Sequence, residues 1–301
     1  MIARIAAASE RLRPETRGAL GMLVATLFFV AMDAMAKDLA SRVPPLQIVW
    51  ARYTGQTVFL MLVFAPRLRT VLRTANLPIQ ALRSVLLFAV TILYFTSLKY
   101  LDLAEAAALM QLAPLMIVGL AALVLREQVG PRRWAGVVLG LCGALVILRP
   151  GVGVFQSAAL LAVGSAFCLA WYQIATRMLG QADSIWTTML YTTGLGTLGG
   201  TLMLPFVWVT PDLATALMLT VIGLVGFVGH LCLVWALGQA PASQLAPFNY
   251  AGLIWALGFG VLVFGEVPQI TTLAGAGVIV GAGLYVWHRE RIRKAPRPLQ
   301  G

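Results

Sequence analysis

Two opposite charges stand where charge is expensive. Asp33 lies about one helical turn inside the end of a long apolar run, and Arg52 about two turns inside the matching end of the next. A charge within a membrane helix costs up to about 3 kcal/mol on insertion scales, the figure for the helix centre, so it marks either function or a structural pair. As a pair, the two would brace neighbouring helices through a salt bridge. As a site, Arg52 would hold a substrate carboxylate, and Asp33 a substrate amine or a proton. Lys37, one turn beyond Asp33 on the same helix face, could take the bracing role instead.

A second set is polar without charge. Gln111 and Tyr250 fall at equivalent places of an internal repeat, as do Glu105 and Gln244, and Asn249 stands beside Tyr250. Pro114 removes a helical hydrogen bond and frees a carbonyl near Gln111. Such residues can line a cavity, or they can simply bond helix to helix at about 0.6–2 kcal/mol each. Tyr94, Trp171, Tyr172, Trp235 and Trp255 lie at run centres, where rings can stack on a planar ligand, cage an onium group or pack. The substrate-contacting set read from the chain is therefore Asp33, Arg52, Tyr94, Gln111, Tyr172, Trp235, Asn249 and Tyr250. Asp33 and His230 are the candidates for proton coupling, although a hydrogen-bonded packing role suits His230 better.

The elements that carry these residues are apolar and long. The chain of 301 residues is 60% hydrophobic and 11% charged, against about 25% charged for a soluble domain. Ten apolar runs suit membrane helices: 18–37, 46–65, 81–100, 104–125, 133–149, 154–177, 184–207, 213–237, 242–264 and 270–288. Most of the 22 Lys and Arg residues fall on one side of such a ladder. Examples are Arg67, Arg69, Arg73 and Arg83 in one connection, and Arg289 to Arg297 at the end. That bias places both termini in the cytoplasm, and it explains the net charge of +11 without a nucleic-acid partner. Residues 1–17 lack the apolar stretch of a cleavable signal and read as a cytoplasmic segment; 289–301 read as a basic cytoplasmic tail. Cys142, Cys168 and Cys232 show no metal or disulfide spacing, and nothing calls for a metal or cofactor.

The repeat organises the whole. Glu127 and Glu266, 139 residues apart, each close an apolar run, and Leu98/Leu237, Gly119/Gly258, Val124/Val263, Gly136/Gly275 and Pro66/Pro205 keep the same offset. Five runs per copy is an odd number, so the second copy enters the membrane from the opposite side. Halves related in that way build one site between them. Glu127 and Glu266 then lie on opposite faces and read, with Pro114, as structural. Glycines at 136, 140, 143, 275, 277, 281 and 283 permit close helix contact, within a half or in a homodimer.

The segments LVLREQV…GPRRWAGVVLGLCGALVILRP and LVFGEVP…TTLAGAGVIVGAGLYVWHRE resemble the EamA module of the drug/metabolite transporter superfamily. That resemblance implies five helices per module, the fourth ending in Glu before a short turn and a glycine-rich fifth. The phrases VWARY and GLYVWHRE are similar to bacterial branches that carry S-adenosylmethionine, riboflavin or amino acids. The second copy departs from the first, with Leu253 at the place of Pro114 and Pro247 earlier. The expectation is an all-α integral membrane protein of ten helices in two inverted repeats, 18–149 and 154–288. It would act as an inner-membrane secondary transporter of a small polar or zwitterionic metabolite, lying in the lipid bilayer. The alternatives are an intramembrane lipid-modifying enzyme, for which no clustered catalytic set occurs, and a receptor, for which no soluble domain is present. No phosphate-binding loop supports ATP hydrolysis.

Overall fold

In the computed structural model, residues 13–67, 71–127, 129–149, 157–179 and 183–294 are described. Most of the N-terminal segment and of the basic tail lies outside them. Twelve α-helices follow in order among these residues. The first six are α1 (Pro14–Leu39), α2 (Pro45–Phe64), α3 (Leu77–Leu98), α4 (Leu103–Met110), α5 (Ala113–Val124) and α6 (Pro131–Leu148). Then come α7 (Ser157–Leu179), α8 (Ile185–Met203), α9 (Leu213–Gln239), α10 (Ala242–Leu245), α11 (Ala251–Phe264) and α12 (Ile270–Lys294).

Local chemistry sets the starts. Pro14, Pro45, Pro78, Pro114 and Pro131 sit in first turns, where a missing N–H costs nothing. The side chains of Asn76, Ser184 and Asp212 accept the orphan N–H groups of Ile79, Thr187 and Thr215 at 3.0–3.2 Å. Gln111 and Leu112 separate α4 from α5, and Pro114 stands in the first turn of α5, so the expected break at Pro114 occurs. In the second half the corresponding stretch is the short α10 and a 3-10 turn, Ala246–Tyr250, around Pro247.

Eight helical segments among the described residues are long and apolar enough to cross a membrane, with α4–α5 and the turn before α11 each counted inside one span. The chain is thus a multi-pass helical membrane protein. α2 and α8, of 20 and 19 residues, fall short of that apolarity, although both coincide with expected runs. The reason is polar content: α2 carries Gln47, Arg52, Gln56 and Thr57, and α8 carries Thr187, Thr192, Thr193 and Thr197. α2 packs on α3, α8 and α9, and α8 packs on α2 and α3.

Packing repeats itself when the halves are exchanged. α1 packs along α9 as α7 packs along α3, and α2 meets α9 as α8 meets α3. Two contacts map onto themselves, α2 with α8 and α6 with α12, and both are antiparallel. Along the first, Trp50 bonds Thr201 (3.0 Å), Thr57 bonds Thr197 (3.0 Å), and Phe64 meets Trp186 with ring centroids 4.8 Å apart. Along the second, Gly136 faces Val286 while Gly143 and Ile147 face Gly275. Of the glycines expected at helix contacts, Gly136, Gly143 and Gly275 join α6 to α12 between halves, Gly140 meets Leu115 and Gly283 meets Tyr250 within their own halves, and Gly277 and Gly281 have nothing within 4 Å of a built Cβ. A Cβ on Gly223 of α9 would meet the Cα of Gly55 on α2 at 2.8 Å, so that crossing also requires glycine.

Candidate functional site

Arg52 is 8% exposed at the centre of α2. Its Nη1 donates to Thr91 Oγ1 of α3 at 3.0 Å, and the rings of Tyr53 and Phe95 flank the guanidinium at 5.3 and 5.6 Å. Its Nε is buried with no partner among the described residues. Asp33 lies within electrostatic reach of this cation, with the Tyr94 hydroxyl interacting with its carboxyl. No ion pair joins Asp33 to Arg52 among the described residues, so the expected salt bridge does not form: Thr91 engages the guanidinium and Tyr94 the carboxylate. Tyr53, absent from the sequence-read set, is 1% exposed and bonds Thr91 at 2.8 Å, which holds the donor-acceptor chain in place. His230 also lies in reach of Arg52, but its Nδ1 is 2.8 Å from the Gly226 carbonyl of its own helix and its ring rests on Phe29. That is the packing arrangement.

Arg83, counted with the loop cations in the sequence, lies in the interior. Arg83 is 1% exposed, with Nε on Thr176 (2.8 Å), Nη1 on Gln80 (3.1 Å) and Nη2 on the Tyr172 hydroxyl (3.0 Å). Tyr172 therefore serves a buried arginine and reaches the central group only by electrostatic interaction with Tyr53. Gln80 passes the network on to Asp183 (2.7 Å), which also accepts from Thr74 and from the Ala75 amide. Burial opposes ionisation of Asp183, but these hydrogen bonds and Arg83 outweigh it and hold the carboxyl below its ordinary range. The signal in the sequence was Gln80 and Arg83 at i, i+3 just after Leu77-Pro78, a helix start rather than a loop.

The two repeated glutamates end their helices alike. The Glu127 amide bonds the Ala121 carbonyl at 3.2 Å and the Glu266 amide the Gly260 carbonyl at 2.9 Å, six residues back in each case. The preceding residue is left-handed in both, Arg126 at φ 53° and Gly265 at φ 66°. Beyond the backbone they part. Glu266 Oε1 pairs with Lys37 at 2.7 Å and Oε2 accepts the Leu103 amide at 2.9 Å, while Lys37 also donates to the Leu98 and Leu101 carbonyls. Lys37 is thus a brace, but to Glu266 rather than Asp33. Beside it, burial and then the Glu266 carboxylate push Asp102 above the ordinary carboxylate range. Glu127 meets Arg177 at 3.5 Å, with the two side chains 46% and 51% exposed.

The remaining candidates are scattered. Gln111 caps α4, whereas the Tyr250 hydroxyl packs onto Gly283 of α12. Asn249 and Gln244 are exposed, and Trp235, 46% exposed, covers Gly21 on α1. Trp255 donates to Thr26 at 3.3 Å. An apolar cavity of about 250 Å³, lined by Ala104, Leu253, Leu257, Thr272, Leu273 and Ala276 among others, touches none of the charged groups.

Two stretches, residues 16–149 and 156–287, match the EamA-like transporter family. The chain belongs to that family. It is 30% identical to a riboflavin transporter of Vibrio cholerae over 289 residues, covering 92% of this chain and 96% of that one. It is 28% identical to the pseudopaline exporter CntI of Pseudomonas aeruginosa (88% and 94% covered) and 24% identical to an S-adenosylmethionine uptake transporter of Rickettsia bellii (87% and 90%). A solved protein structure superposes with a TM-score of 0.61 at 22% identity, over 94% of this chain and 100% of that one. Family and relatives are transporters of small metabolites, and so is this protein.

Proposed function

We propose that ten membrane helices, in two inverted five-helix halves, carry a small polar or zwitterionic metabolite through one site between α1, α2 and α3. Support for the inversion is that repeat-equivalent helices, α2 with α8 and α6 with α12, pack antiparallel on one another. Positive-inside counting then puts both termini in the cytoplasm, Glu127 at the inner face and Glu266 at the outer face of a bacterial inner membrane.

The observation that carries the site is a buried arginine with an unused donor. Among the described residues Arg52 Nε has no hydrogen-bond partner and no carboxylate stands within ion-pair distance of its charge, yet Asp33, engaged by the Tyr94 hydroxyl, stands nearby. A substrate with an anionic and a cationic group fits between them, completing by charge-assisted hydrogen bonds what the protein leaves open. Of the compounds named for its relatives, S-adenosylmethionine carries both kinds of charge and is the first to screen, with riboflavin as the uncharged comparison.

The test is uptake into proteoliposomes from a metabolite panel containing both compounds. Arg52→Ala is expected to lower the initial rate for the carried compound more than about tenfold, the loss of one charge-assisted bond. Uptake by Arg52→Ala at the parent rate contradicts the site.

A further inference from the structure

The glutamates that end α5 and α11 share a local fold and differ in what they reach. Each meets a cation in the last turn of the other half's first helix: Glu266 meets Lys37 of α1, and Glu127 meets Arg177 of α7. At the Glu266 end the pair is closed at 2.7 Å, 14–15% exposed, and reinforced by the Leu103 amide. At the Glu127 end it stands at 3.5 Å and half-exposed. Both pairs cross between halves, so a movement of one half against the other changes both.

We propose that these two ion pairs are alternate latches. Lys37–Glu266 closes one end of the site in this conformation, and Arg177–Glu127 closes the other end once the first has opened. The proposal rests on the alternating-access reading above. A latch biases a two-state equilibrium only by the difference in its strength between the states, and each pair here is tight in one state and loose in the other. Removing one latch must therefore favour its own end opening, and removing the other must push the balance back. A purely structural brace has no such opposed effect.

The experiment is electron–electron distance measurement on purified full-length protein with Cys142, Cys168 and Cys232 replaced by Ser. Spin labels at Ser41→Cys and Val267→Cys report the Glu266 end; Arg132→Cys and Met178→Cys report the other. All four positions are exposed. Glu266→Gln is expected to raise the long-distance fraction of the first pair at least about fivefold, the lower bound of usual coupling, and to shorten the second pair. Adding Glu127→Gln should return both distributions toward the parent, while adding Lys37→Met should change neither further. The proposal is overturned if Glu266→Gln leaves the parent distribution, or if Glu127→Gln leaves that of Glu266→Gln unchanged or widens the first pair again. Uptake lost in Arg52→Ala beside unmoved distances sinks the latches and keeps the site; moved distances beside normal uptake do the reverse.

Discussion

At one end of the molecule Glu266 is held by an ammonium and a helix amide in a nearly dry niche; at the other, Glu127 meets a guanidinium across 3.5 Å in the open. The backbone turns beneath them share a six-residue amide-to-carbonyl bond and a left-handed residue just before the Glu. The difference teaches that a duplicated motif can keep its local wrap while its long-range partners differ, and on the latch proposal those partners mark which end is shut. Asymmetry between such ends is information about conformation. The Glu127 end is not without a tie of its own, since Asp183 pins Thr74, Ala75 and Gln80 across the halves. That tie is loop-borne, whereas Lys37–Glu266 grips helix ends.

The comparison can be broken by stability. Lys37→Met strands a mostly buried carboxylate and is expected to cost about 2 kcal/mol; Arg177→Met, removing a half-exposed partner, should cost under about 1 kcal/mol. Reversible unfolding of each variant in detergent measures both. Equal losses would mean that the two ends are held alike.

A smaller effect sharpens the shared part. Arg126 occupies a left-handed position that suits glycine, and Gly265 fills the same place in the other half. Arg126→Gly should gain about 1 kcal/mol and Gly265→Ala lose about as much in the same assay. A loss in Arg126→Gly would show that this side chain has a role beyond the turn.

Much of this was legible in the sequence because it depends on local chemistry. Apolar length, the prolines of first turns and the Glu-ended repeat announce helices, starts and halves. The candidate site was legible in part. Asp33 and Arg52 stood out because mid-membrane charge is rare, and Tyr94 does join Asp33. What failed depends on side-chain direction. Equivalence in the repeat suggested that Gln111 faces Tyr250, but α4 is a regular helix and its counterpart a 3-10 turn, so Tyr250 turns onto Gly283. Trp235 reads as central by its place in the helix, yet it covers Gly21 with half of its surface exposed. Arg83 was lost to the loop count because a buried cation with neutral partners leaves no acidic mark beside it in the chain.

The central claim is that one site opens to alternate sides. It is tested most directly by a single cysteine at Asp33, in a background without native cysteines, exposed to a membrane-impermeant maleimide from either side of sealed vesicles. The account predicts that the parent labels from the Glu127 side and that Glu266→Gln gains labelling from the Glu266 side. Labelling of the parent from the Glu266 side alone, or the same sidedness in both proteins, would contradict it.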